Sequence, residues 1–351
     1  MSPWTPSRDD WSELLDGEPR YRLDQLWQGL YQHGQSPDTI TTLPAALRDR
    51  LAATTSPALT LAASQESADG ETAKWLFTMA DGAAIETVLM HYRQRSTACI
   101  SSQAGCAMGC GFCATGQGGY DRNLSVGEIL EQVVTARARA APRRLSNIVF
   151  MGMGEPFANH DRVLTATKRI IEDFGIGARH ITISTIGLVP QILRLAEEGL
   201  QVGLAISLHA ANDAKRTELI PLNKRHPLDE LVSACQLYRE LTGRRVTFEW
   251  AMIDEVNDTA QDVRELADLA HRTNAHVNLI RLNPTPGWPT VGSPEGRIRW
   301  FRRQLEDLRV NATIRANRGL DIEAACGQLR ADNEPTPVTL SHHLPSPPER
   351  H

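Results

Sequence analysis

The 351-residue chain is poor in aromatic side chains, at 5%, and has no apolar run near the ~20 residues that a membrane span needs. A membrane-spanning helix is therefore not expected. Residues 1–10 lack the basic stretch and apolar core of a secretory leader, so the expected location is the cytoplasm. No charge of one sign dominates: the net charge is −5, which gives nucleic-acid binding no global support. Local support would have to come from Arg137, Arg139, Arg143 and Arg144, or from Arg297, Arg299, Arg302 and Arg303. Read from charge alone, both groups are solvated helix faces and loops. Internal repeats are missing too. The six cysteines form an even set, but a long chain without an export signal argues against a disulfide framework. What remains, at 41% hydrophobic and 23% charged, is an ordinary globular protein able to bury one large core.

Pattern along the chain supplies the fold class. Residues 1–60 read as a helical unit, with helices over 21–31 and 43–52 separated by the turn-prone Ser36-Pro37-Asp38. Residues 61–94 read as a strand connector: strands over 73–78 and 84–90 flank Asp81-Gly82, a hairpin turn. From 95 to 331 strands and helices alternate. Strands are expected over 98–101, 147–151, 180–185, 202–208, 246–253 and 277–282. Helices are expected over 126–140, 162–174, 189–198, 229–241 and 260–272, and a last helix and short strand over 299–308 and 312–315. Several strands are continuous apolar runs, as strands of a parallel sheet covered on both faces must be. Six such units predict an α/β fold, a partial (β/α)6 barrel with its active site at the C-terminal ends of the strands. Residues 332–351 hold five prolines in a polar context and read as a disordered tail.

The strongest chemical signal is Cys106-Ala-Met-Gly-Cys110-Gly-Phe-Cys113, just after the first barrel strand. Three thiolates on one short loop can hold three irons of a [4Fe–4S] cluster and leave the fourth iron open. Glycines at 105, 109 and 111 let the loop wrap an inorganic core. The competing reading is structural zinc, which normally takes four ligands in paired spacing, and no second pair follows nearby.

C-x-x-x-C-x-x-C with an aromatic residue before the last cysteine resembles the radical S-adenosylmethionine (SAM) superfamily. Gly152-Met-Gly-Glu155-Pro156, a glycine-rich turn after the second barrel strand, fits that likeness. Cys99-Ile-Ser-Ser-Gln-Ala-Gly-Cys106, Ser207-Leu-His-Ala210, Leu282-Asn-Pro284 and Asp321-Ile-Glu-Ala-Ala-Cys326-Gly-Gln-Leu329 narrow it. Together they resemble the RlmN/Cfr family of RNA adenine methyltransferases, over residues 15–330.

The resemblance implies a radical SAM barrel with a [4Fe–4S] cluster on Cys106, Cys110 and Cys113, and SAM as cofactor and methyl source. It implies SAM contacts at Gly154, Glu155, Ser184, Ser207, Leu208, His209 and Asn283. His209 can equally be a structural histidine capping its strand. The reaction it implies runs through a methyl-cysteine intermediate: Cys326 accepts a methyl group, a SAM-derived radical activates it, and the carbon radical attacks adenine. Cys99 then attacks the Cys326 sulfur, forming a disulfide bond and releasing the base, while Glu86 takes the ring proton. Taken alone, Glu86 reads as an exposed strand carboxylate, and Cys99 and Cys326 as small buried residues. Cys235 reads as core.

The implied substrate is 23S rRNA, with transfer RNA as a second candidate. Pro156 fits methylation at C2; Arg281, where C2 enzymes usually carry proline, and Arg315-Ala-Asn-Arg318 before the Cys326 motif depart from that type and keep C8 as the alternative. C2 is the expectation. A radical SAM enzyme acting on a non-RNA substrate is the more distant alternative. The expected partners are RNA and an electron donor such as flavodoxin or ferredoxin, with a monomeric chain.

Overall fold

The structure, a computed structural model, describes residues 1–285, 287–289, 291–315 and 318–329. The tail expected over 332–351 lies outside the described residues.

The chain opens with helices Arg8–Leu14, Tyr21–Trp27 and Ala45–Thr54. The first is fixed by a capping box, in which Ser7 accepts the Asp10 N–H and the Asp10 carboxylate reaches back to the Ser7 N–H. The single helix expected over 21–31 widens into a π turn, Gln28–Gln32. There Gly29 admits Ile40, whose Cγ1 would lie 2.6 Å from any Cβ at that position.

Twelve strands follow among the described residues: β1 (Thr60–Glu66), β2 (Thr72–Thr78), β3 (Ala84–Tyr92), β4 (Arg95–Cys99), β5 (Gln103–Gly105), β6 (Tyr120–Asn123), β7 (Leu145–Phe150), β8 (Ile181–Thr185), β9 (Gly203–Ser207), β10 (Thr247–Met252), β11 (His276–Arg281) and β12 (Ala312–Ile314). β5 and β6 form a small hairpin; the other ten make one sheet in the order β1-β2-β3-β4-β7-β8-β9-β10-β11-β12. β1 to β4 run antiparallel, and from β4 to β12 every pairing is parallel. The result is an open α/β sheet, and β1–β3 continue the barrel sheet directly. β1 was not expected because six of its seven residues are exposed, which leaves no alternation to read.

Helices Val126–Ala140, His160–Glu172, Val189–Glu197, Leu228–Thr242, Ala260–Thr273 and Glu295–Asp307 cross between the parallel strands. Capping boxes at Ser125/Glu128 and Thr259/Asp262 start two of them. The N-terminal helices are tied to this layer by buried polar groups. Arg169 donates to the carbonyls of Trp4 and Thr5 (2.8 and 3.1 Å) and to the Tyr31 hydroxyl, and pairs with Asp173 at 3.1 Å. Glu131 accepts from Ser2 and from the N–H groups of Ala58 and Leu59. No helix among the described residues is long and apolar enough to cross a membrane.

Candidate active site

β4 ends at Cys99, and the chain turns through Ser101 and Ser102 into β5 and the loop bearing Cys106, Cys110 and Cys113. The β5–β6 hairpin grips the base of that loop: Cys106 N–H donates to the Gly119 carbonyl at 2.6 Å. Gly105, at φ +73°, permits this approach, since a Cβ there would lie 2.9 Å from Tyr120 Cα. On the far side, Gln117 Nε2 donates to the Gly111 carbonyl at 2.6 Å. Cys110 and Phe112 are buried against Ala251, Ile253 and Leu282.

All three cysteines line one cavity at the C-terminal ends of the parallel strands, together with Gly154, Glu155, Ser184, Ser207, His209, Asn283 and Cys326. Burial pushes the Cys106 thiol up to about 11 and raises Cys110 further, and the neighbouring sulfurs oppose ionisation too. Such thiols become thiolates only beside a cation, which an iron–sulfur cluster supplies. Among the described residues no three acidic, histidine or cysteine side chains converge as the shell of a single ion. Three thiols from one loop facing one cavity suit ligation of one iron each. The donor set fits the cluster.

The glycine turn after β7 packs onto the segment before the cluster loop. A Cβ on Gly152 would lie 2.7 Å from the Ile100 carbonyl carbon, and one on Gly154, at φ +96°, 2.7 Å from Gln103 Cγ. Gln103 Oε1 accepts the Glu155 N–H at 2.7 Å. The Glu155 carboxylate accepts the N–H groups of Phe157 and Ile186, each at 3.0 Å, and burial pushes its carboxyl up to about 7. Ser184 and Ser207 hydroxyls approach to 3.4 Å.

His209 has a left-handed backbone, φ +57°, and its Nδ1 accepts the Ala251 N–H at 2.9 Å. Burial, helped by the charge of Arg216, holds the ring far below its usual range, near 3. The imidazole is therefore neutral with its proton on Nε2, and one ring serves both as a strand-end anchor and as a cavity wall. Leu208 differs from the rest. Its side chain is buried in the core and does not line the cavity; its carbonyl accepts from Arg216 Nε at 3.2 Å.

Cys326 also lines a second, smaller cavity of about 40 Å³ that it shares with Cys99, Met151 and Arg315. That is room for a few waters or a methyl group, not for a base. Its exposure is to these cavities, and burial raises its thiol as it does that of Cys99. All six cysteines are free. The Cys326 segment is bonded to the cluster loop and its neighbour. Asn283 Nδ2 donates to the Cys326 carbonyl (2.9 Å), Ala114 N–H to that of Gly327 (2.8 Å), and Thr115 to that of Leu329 (2.6 Å).

Glu86 lines neither cavity. It is buried in β3 and paired with Lys74 Nζ at 2.9 Å. Val88, two residues on, stands opposite Cys99 in the β3–β4 ladder, so Glu86 shares the face of β3 that Cys99 shares.

Glu249 and Arg315 went unread as site residues. Glu249 lines the larger cavity, accepts from Asn278 Nδ2 at 2.9 Å and pairs with Arg315 at 3.4 Å. The available signal was one acid inside an apolar strand. Of the arginine groups, Arg143 is held by both oxygens of Glu71 (2.7 and 3.1 Å), Arg299 and Arg302 by acids one turn away, and Arg297 stacks on Trp300.

The sequence profile of the radical SAM superfamily matches residues 100–270. The chain is 49% identical over 338 residues to the "Probable dual-specificity RNA methyltransferase RlmN" of Parafrankia sp., covering 90% of this chain and 87% of that protein. The protein of the same name from Mycobacterium marinum is 49% identical over 328 residues, 90% of each chain. Among solved structures, a radical SAM methyltransferase from Sphaerobacter thermophilus superposes with a TM-score of 0.92 at 48% identity, covering 95% of this chain and all of that one.

Proposed function

Since the chain belongs to the RlmN family of radical SAM RNA methyltransferases, which use a [4Fe–4S] cluster and SAM, we propose that it methylates C2 of an adenine in 23S rRNA. Transfer RNA is the proposed second substrate, in keeping with the dual specificity in its relatives' names. One observation carries the reading: Cys326 alone among the cysteines borders both the cavity ringed by the cluster thiols and the one holding Cys99. A thiol that carries a methyl group must face the methyl source on one side and its resolving partner on the other.

In this proposal Cys106, Cys110 and Cys113 hold the cluster. Gly154, Glu155, Ser184, Ser207, His209 and Asn283 surround SAM, and Leu208 contributes through its backbone. When bound, the cluster supplies the electron that cleaves SAM, and SAM supplies the methyl group and the hydrogen-abstracting fragment. Cys326 carries the methyl, its main chain steadied by Asn283. Cys99 gives up its thiol proton and bonds the Cys326 sulfur, the sulfur–carbon bond to the base breaks, and its electron pair with a proton completes the methyl group on the released base. Glu86, held by Lys74 of the neighbouring strand β2, receives the ring proton. The same reading takes residues 1–60 as an RNA-binding accessory unit, 61–94 as the segment carrying Glu86 and 95–331 as the barrel. It includes a monomeric cytoplasmic chain and an external donor of the flavodoxin or ferredoxin class.

The test is mass spectrometry of nucleosides from ribosomal and transfer RNA after anaerobic incubation with reconstituted protein, SAM and reductant. 2-Methyladenosine is expected. 8-Methyladenosine would move the chemistry to the other ring carbon. Neither product, despite an intact cluster and SAM cleavage, would reject RNA adenine as substrate.

A further inference from the structure

Arg216 is 1% exposed, among the most completely buried side chains described. Helix Asp213–Leu219 carries it inward. Its guanidinium donates to the Leu208 carbonyl (3.2 Å), Asn223 Oδ1 (2.7 Å) and the Ile186 carbonyl (2.5 Å). All three acceptors are neutral. Among the described residues no carboxylate forms an ion pair with it. Asp213 is close enough to be felt, but its Oδ1 accepts from Leu228 N–H and Asn223 Nδ2. Burial pulls the guanidinium down to about 10, which leaves it cationic at neutral pH.

A buried cation with only neutral partners is costly to maintain, and an apolar side chain of similar volume would fill the space. Arg216 does not line the large cavity, so it is not placed to bind a substrate anion there. Ile186, whose carbonyl it holds, lines that cavity, and Leu219 and Ile220, one turn on from Arg216, pack in one apolar cluster with Cys110, Phe112 and Ile186. The guanidinium therefore stands behind the cavity wall on the side of the cluster loop.

We propose that Arg216 is the built-in counter-charge of the iron–sulfur cluster, held behind Cys110 so that it favours the reduced state. This rests on the reading of Cys106, Cys110 and Cys113 as cluster ligands. Reduction adds one electron, delivered by a low-potential one-electron donor, and makes the cluster–thiolate unit more negative by one charge. A fixed cation across a poorly polarisable wall stabilises that product and raises the reduction potential. Arg216 touches neither SAM nor RNA in this scheme; it is a positioning residue for charge.

The test is a redox titration of the reconstituted protein without SAM or RNA, followed by electron paramagnetic resonance, with iron and sulfide content measured in parallel. Arg216→Gln is expected to lower the reduced-to-oxidised ratio at a given poise about tenfold, a midpoint ~59 mV more negative for one electron. Arg216→Lys should stay near wild type. Asp213→Asn, which keeps the one oxygen that accepts both bonds, should move the midpoint the other way. It also serves if Arg216→Gln does not fold. Fully loaded variants with an unmoved midpoint would overturn the inference. A wild-type protein that binds no cluster would instead overturn the ligand assignment beneath it.

Discussion

Glu155 is the residue at which the site's electrostatics can be weighed against stability. Its carboxyl titrates at about 7 in the folded chain against 4.5 for an ordinary glutamate, because burial disfavours the charge more than the two N–H donors and the Thr185 side chain favour it. The folded state thus binds this proton more tightly than the unfolded state does. Below pH ~4.5 both states hold it and the group is neutral to stability. As pH rises towards 7 the unfolded state releases it first, and the cluster-free protein loses roughly 3 kcal/mol, levelling off above pH 7. Glu155→Gln carries no such proton but gives up one of the two acceptors, a cost of about 1–3 kcal/mol. The variant should therefore be less stable than wild type at pH 5 and equal to it, or better, at pH 8. Urea unfolding of both cluster-free proteins across pH 5–8, under reductant and followed by circular dichroism, measures the difference. Other titrating groups cancel in that comparison. Two stability curves that run parallel across the range would refute the assigned burial of the charge.

Cys326→Ala should abolish methyladenosine formation while leaving iron content at the wild-type level; residual product would move the methyl carrier elsewhere. Gly154→Ala must place a Cβ 2.7 Å from Gln103 Cγ at φ +96°, costing about 2–4 kcal/mol in urea unfolding, and a loss below ~1 kcal/mol would mean that the turn yields. Arg169→Met strips donors from the Trp4 and Thr5 carbonyls and leaves the half-buried Asp173 without its partner, about 2–4 kcal/mol. Limited proteolysis should then cut first within residues 1–60, and an unchanged cleavage pattern would count against the anchoring role.

The parallel half of the fold was legible because its strands are continuous apolar runs separated by amphipathic helices. Strands expected over 246–253 and 277–282 sit within one residue of Thr247–Met252 and His276–Arg281 at each end. β1 was not legible, since an exposed edge strand carries no period. The cluster loop was readable because ligand spacing is local. Glu249, Arg315 and Arg216 were not, since each matters through a partner far away in sequence, and nothing local marks a buried ion pair or an unaccompanied cation. The arginine groups illustrate the same limit: charge can be counted in a sequence, but whether Glu71 cancels Arg143 is decided only by folding.

The bonds from Ala114 to Gly327 and from Thr115 to Leu329 make the two ends of the chemistry mutually dependent. Residues over 200 positions apart in the chain share one small set of hydrogen bonds, so the metal loop has its cover only after residues 327–329 have been synthesised. A lesion anywhere in 326–329 would thus be felt at the metal loop, and one in 114–115 at the methyl carrier.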